Sequence, residues 1–210
     1  MPMKSFISLC ALLCAVPSIA QEPSQVAGCK IRPGTLCADM NLNGAQLHGA
    51  DLSNAQLSGS NLVDANLLNA KLDGANLTRA DLSNANFAGA SLNDADLRAA
   101  NLGGAKLTSA QLNGANLQNV IMRGADLRNA GLRGADLFLA DLPMAKMQNT
   151  KLQRADFRGA NLAGAVLADA NLRGANFTNA DLTNADLRGA EIDTAIFLGA
   201  KTSGCQGCPR

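Results

Sequence analysis

Few side chains in this 210-residue chain have the types and spacing that do chemistry. Cysteine offers the most. Cys205-Gln206-Gly207-Cys208 has the C-x-x-C spacing in which a thiol at a helix start can be activated for disulfide exchange, but no βαβ pattern or predicted helix accompanies it. Haem attachment would need histidine where Pro209 stands. The one histidine, His48, can neither complete a triad nor join a histidine metal site. Asp136 and Asp156, twenty residues apart, could face a cation together, yet a hard cation wants about six or more oxygens. The residues therefore point to no catalytic group, no cofactor site and no metal centre.

Cysteine usage also speaks to location. Residues 1–20 follow the pattern of a secretory leader: Lys4, an apolar stretch over residues 6–16, then Ser18 and Ala20 flanking Ile19, with cleavage expected after Ala20. That stretch is too short to cross a bilayer, and no later segment approaches the roughly 20 apolar residues a span requires. Cys10 and Cys14 would leave with the leader, and Leu13 is bulky where lipoprotein processing wants a small residue. Four cysteines remain, Cys29, Cys37, Cys205 and Cys208, an even number that suits disulfides in a periplasmic or secreted protein.

The rest of the chain is a repeat. There is no Trp or Tyr and only six Phe, and the 47% apolar content is mostly Ala and Leu. Over residues 41–200 the pattern recurs every five residues without insertion or deletion. With the central residue written i, all 32 such positions from Leu42 to Phe197 are apolar, 25 of them Leu, and Ala stands at i−2 in 28. Five helical steps of about 100° would smear these Leu residues around a helix, and an odd period would alternate them across a strand. Short extended pieces joined by corners satisfy both constraints, with Ala and Leu pointing inward. At i+2, 14 of 32 residues are Gly and 8 are Asn, types that tolerate the positive φ of a type II corner. Asn and Asp fill 19 of 32 positions at i−1, where a short polar side chain can hydrogen-bond corner backbone. Four corners close a square coil of 20 residues, and coils stacked at about 4.8 Å would make an eight-coil rod of roughly 38 Å.

Units such as Ala50-Asp51-Leu52-Ser53-Asn54 and Ala125-Asp126-Leu127-Arg128-Asn129 resemble the A(D/N)LXX units of pentapeptide-repeat proteins. The resemblance implies an all-β fold, a right-handed quadrilateral parallel β-helix. The chain as a whole reads as a leader at 1–20, an N-terminal capping segment at 21–40 with Cys29 and Cys37, the β-helix at 41–200 and a tail at 201–210 with Cys205 and Cys208. Some members resemble the charge and shape of DNA and bind topoisomerases. This chain departs from them: Arg98, Arg123, Arg128, Arg133, Arg158, Arg173 and Arg188 all occupy outward i+1 positions, and the leader would export it.

The full chain carries 18 basic and 17 acidic side chains, and loss of Lys4 would leave 17 of each. Neither a broadly basic nucleic-acid binder nor an acidic tail fits, and no aromatic interleaving supports base stacking. Along the rod the balance is uneven: three basic and seven acidic residues over 38–100, eight and four over 101–160, two and five over 161–200. Within the basic stretch, Phe138, Leu139, Pro143, Met144 and Ile121 break the outward polar pattern. With Arg123, Arg128, Arg133 and Arg158 beside them they form the candidate interface for an unknown, acidic protein partner. Ile196 and Leu198 beside Phe197 suggest a homodimer through the C-terminal end. The expected function is an exported, non-catalytic structural or protein-interaction solenoid. The alternatives are a thiol-redox protein and a DNA-mimic inhibitor. Expected disulfides are Cys29–Cys37 and Cys205–Cys208, because the rod would hold the two ends far beyond the 4.4 to 6.8 Å that a bridge allows.

Overall fold

The computed structural model describes residues 25–209. The leader at 1–20 with its cleavage site, residues 21–24 of the capping segment and Arg210 lie outside the described residues.

Alternation of Ala and Leu dictates the coil. In each unit the Ala and the central residue turn inward: from Leu47 to Leu187 every central side chain is at most 1% exposed. Between units the chain bends through a tight turn. Ala45 N–H donates to Leu42 O at 3.0 Å, with Gly44 at φ 64°, and the same closure recurs along the chain, as type II geometry requires. Each residue at i−1 bridges in parallel to the residue twenty places on, from Leu36 with Gln56 to Asp186 with Gln206. Leu42 N–H donates to Asn61 O at 2.7 Å and Asn61 N–H donates to Met40 O at 2.9 Å, so every side of the coil pairs with the same side of its neighbours. The pairing extends past residues 41–200 in both directions, because Cys37 and Thr202 keep the phase although the repeat signature around them has faded.

Corner chemistry explains the preference for Asn and Asp at i−1. Their Oδ1 accepts the backbone N–H two residues on, as in Asn43 to Asn41 at 3.2 Å, Ser53 to Asp51 at 3.1 Å and Phe138 to Asp136 at 3.0 Å. Each such bond satisfies a backbone donor that no neighbouring coil reaches. The two polar residues that replace inward Ala are also satisfied. Ser60 Oγ donates to Cys37 O at 2.7 Å, and Thr150 Oγ1 donates to Met147 O at 2.6 Å. Inside the coil, Phe157, Phe177 and Phe197 stack along the axis with centroids 4.9 and 5.0 Å apart.

Both ends of the ladder carry a bridge. At the N-terminal end, β1 (Gln25–Val26) pairs antiparallel with β2 (Cys29–Lys30), and Val26, Ile31 and Met40 pack on the core. Cys29 is bonded to Cys37, with Cα atoms 5.6 Å apart. At the other end Cys205 is bonded to Cys208 across 5.8 Å. Among the described residues no helix is long and apolar enough to cross a membrane.

Candidate functional site

Because each five-residue step moves the chain to the next side, residues twenty apart share a side and residues ten apart lie on opposite ones. The first side holds 121–124 and 141–144, the second 126–129, the third 131–134, 151–154 and 171–174, and the fourth 136–139 and 156–159.

Five of the sequence-derived interface residues fall on the first side of the coil and the two corners that bound it, an apolar edge of the rod. Phe138 and Leu139 on the fourth side adjoin Pro143 and Met144 on the first, and Ile121 lies one coil away, paired with Asp141. Ile121 is 41% exposed, Leu139 49% and Met144 70%, whereas Phe138 and Pro143 are half-buried. Leu139 and Met144 occupy corners at φ 56° and 57°, where most of the chain uses Gly or Asn. A bulky side chain in this left-handed region costs about 1 to 2 kcal/mol, and Met144, 70% exposed, recovers little of it by burial. Leu139 leans over Gly159, where an added Cβ would come within 2.8 Å of its Cδ2.

Two of the four candidate arginines flank this edge. Arg158 lies over the Phe138 ring, 5.5 Å from its centroid, while pairing with Asp156 at 2.7 Å. Arg123 pairs with Asp141 at 2.6 Å. The other two do not belong to the patch. Arg128 is on the second side, opposite Phe138, bound to Asp126 at 2.6 Å. Arg133 is on the third side, opposite Met144, donating from Nε to Gln153 Oε1 at 3.1 Å. Neighbours along a coiled chain are spread around its circumference, so the basic belt of the sequence is not one surface.

The paired carboxylates bear the mark of their partners. Hydrogen bonds from Arg98, Arg128 and Arg188 hold Asp96, Asp126 and Asp186 below the ordinary aspartate value, and Ser53 and Thr183 do the same for Asp51 and Asp181. Asp136 and Asp156 are stacked neighbours, but protein donors already engage them: Gln118 Nε2 reaches Asp136 at 2.6 Å and Arg158 Nε reaches Asp156 at 2.8 Å. His48 is exposed on the second side. Among the described residues no group of three or more His, Cys, Asp or Glu side chains is gathered for a metal ion.

Sequence reasoning passed over Arg154 and Lys151. Both lie on the third side, which from 131 to 174 carries Arg133, Lys151, Arg154 and Arg173 and no acidic residue. The signal was Arg154 itself, at an i+2 corner with φ 60°.

Comparison with known proteins adds four findings. The family model for pentapeptide repeats matches in eight copies, spanning residues 41–142 and 150–199. Among solved structures, the pentapeptide-repeat protein HetL from the cyanobacterium Nostoc sp. strain PCC 7120, involved in heterocyst differentiation regulation, is 37% identical. That match covers 81% of this chain and 75% of HetL, with a TM-score of 0.55. QnrB1, a plasmid-mediated fluoroquinolone resistance protein, is 16% identical over 81% of this chain and 90% of its own, with a TM-score of 0.58, a likeness of fold. No curated protein sequence matches the chain significantly.

Proposed function

The chain belongs to the pentapeptide-repeat family, whose fold is the right-handed quadrilateral β-helix; from that premise we propose that it is an exported, non-catalytic rod of eight coils over residues 41–200 that binds a protein partner through an outer edge. The observation that carries this reading is the apolar edge formed by Phe138, Leu139, Met144 and Ile121. Exposed apolar residues that gain little burial, two of them held in a costly backbone conformation, are accounted for by a partner that covers them. Arg158 over Phe138, paired with Asp156, and Arg123, paired with Asp141, give that edge a polar rim of ion pairs around its apolar residues.

Export follows from the leader reading of residues 1–20, with a mature chain beginning at Gln21 in the periplasm or outside the cell. A second contact is proposed at the C-terminal end. There Ile196 is 48% exposed and Leu198 73%, and Phe197 is the last ring of its stack, a surface on which a second copy could seat. The thiol-redox reading is weaker. Cys205 and Cys208 are bonded to each other, and among the described residues no helix begins beside them to stabilise a thiolate.

The test is quantitative crosslinking in the native compartment, comparing the parent chain with Phe138→Ser combined with Arg158→Glu. Both side chains lie outside the core, so the variant should keep its circular dichroism and melting temperature while the crosslinked partner falls about tenfold, as expected when a central anchor is lost. Unchanged partner yield would remove the edge from consideration.

A further inference from the structure

Arginine at the i+1 positions of this rod is usually neutralised, as Arg98, Arg123, Arg128, Arg158 and Arg188 are. Where Arg stands at i+1, Asp commonly stands two residues earlier: Asp96 pairs with Arg98, Asp126 with Arg128, Asp156 with Arg158 and Asp186 with Arg188, at 2.6 to 2.7 Å. The third side breaks that rule on consecutive coils. The positions that would hold the carboxylates are Gly131, Lys151 and Asn171. Arg133 and Arg154 make no ion pair among the described residues, and Arg173 has only a loose one, Asp193 at 3.6 Å with both side chains well exposed.

The corners of the third side shape its surface. The Arg133 backbone N–H is taken by Asn113 Oδ1 of the preceding coil at 3.0 Å, the last rung of a ladder that runs from Asp73 through Asn93 and Asn113. Corner residues Gly134 and Gly174 leave space on both sides of Arg154, whose Cγ passes 3.5 Å from where a Gly174 Cβ would stand. The result is an open groove of about 640 Å³ lined by Arg133, Gln153, Arg154 and Arg173. Arg154 stands at its corner at φ 60°, in the left-handed conformation that Arg79 also takes at φ 57°.

We propose that this groove is a second docking surface, distinct from the Phe138 edge, and that its occupant is an extended acidic segment of a partner protein. Charge and spacing select that occupant. Three arginines stand on successive coils whose backbones stack about 4.8 Å apart, close to 10 Å over three coils, and an extended chain places alternate side chains about 6.7 Å apart. Two carboxylates of one strand therefore fall within reach of the three forks, each able to take a carboxylate bidentately. The groove is too open to enclose a small ligand. It also lacks an aromatic on which a base could stack, since Phe138 projects from the adjoining side.

The test uses the full chain and a fluorescein-labelled peptide of alternating glutamate and serine, followed by anisotropy in low salt, with a glutamine-for-glutamate peptide as control. Saturable binding is expected to weaken about tenfold when Arg133→Glu is combined with Arg173→Glu, and to change less than about twofold in Arg128→Glu or Phe138→Ser. The Phe138→Ser arm separates failure of this groove from failure of the apolar edge. All four residues project outward, so unchanged melting temperatures will show that the variants fold. No saturation below about 1 mM, or equal loss in Arg128→Glu, overturns the proposal. Tighter binding of an oligothymidylate of matched charge overturns it in favour of nucleic acid, and equal competition by inorganic phosphate reduces it to a single-anion site.

Discussion

Met144 sets the cost of function against stability at the scale of one residue. It is 70% exposed at φ 57°, so Met144→Gly removes a strained left-handed side chain and almost no packing. The variant is expected to be more stable by about 0.5 to 1 kcal/mol and to bind the partner of the apolar edge less well. Denaturant melts and crosslinking yield check the two halves separately, and a less stable variant would show that the side chain is part of the fold. Charge offers a second residue-scale prediction. Asp51, Asp96, Asp126, Asp181 and Asp186 all have pKa values lowered below 3.8 in the folded rod. The sign follows: a lowered folded value means that their contribution is fully present above the unfolded value and disappears as pH falls through the folded one. Stability should therefore be flat near neutrality and decline below about pH 4, and adding salt should soften the decline because these pairs are only partly buried. Acid melts at two ionic strengths measure this; a decline beginning near pH 6 would assign the loss to other groups.

The coil is the unit of cooperation at the scale of elements. No five-residue piece buries its Leu alone, since each Leu packs between the coils before and after it. Phase is consequently worth more than composition. Deleting residues 101–120 removes one whole turn and leaves every side in register, so the β-type circular dichroism and a single melting transition should persist. Inserting two residues after Asn119 shifts all later Leu residues out of the interior and all later pairings off their partners. That variant is expected to lose its single transition. Melting indistinguishable from the parent after the insertion would contradict the stacked-coil account.

For the whole molecule the ends decide how the rod survives. A stack of coils leaves a ring of unpaired strand edges at each terminus, the feature that native β proteins cover to avoid edge-to-edge association. Here the β1–β2 hairpin lies over the first coil, and the Cys29–Cys37 bridge ties it down. Closing a loop of eight residues by a disulfide stabilises by about 2 to 3 kcal/mol. Cys29→Ser combined with Cys37→Ser should lose roughly that amount, and the uncapped end should increase self-association in solution scattering. Retained stability with a monodisperse rod would show that the hairpin caps the coil without its bridge. The Cys205–Cys208 bridge closes only a short tail, so removing it should cost less.

Much of this was legible in the residues. A five-residue period with large and small apolar positions in fixed alternation excludes helix and continuous strand, and the Gly and Asn corners then leave a square coil. The sides follow by counting in twenties, which is how Phe138, Leu139, Pro143, Met144 and Ile121 gather into one edge. Periodicity is silent on handedness, because a mirror-image coil has the same spacing, and that feature entered through the family. Only the tertiary structure decided which charges remain free. Arg123 and Arg133 look alike in sequence, each without an Asp two residues earlier, yet Asp141 on the next coil neutralises one while the other stands beside Arg154 and Arg173. Ion pairing depends on what lies within about 4 Å in space, across coils as well as along them, and no one-dimensional charge count along the chain contains that distance.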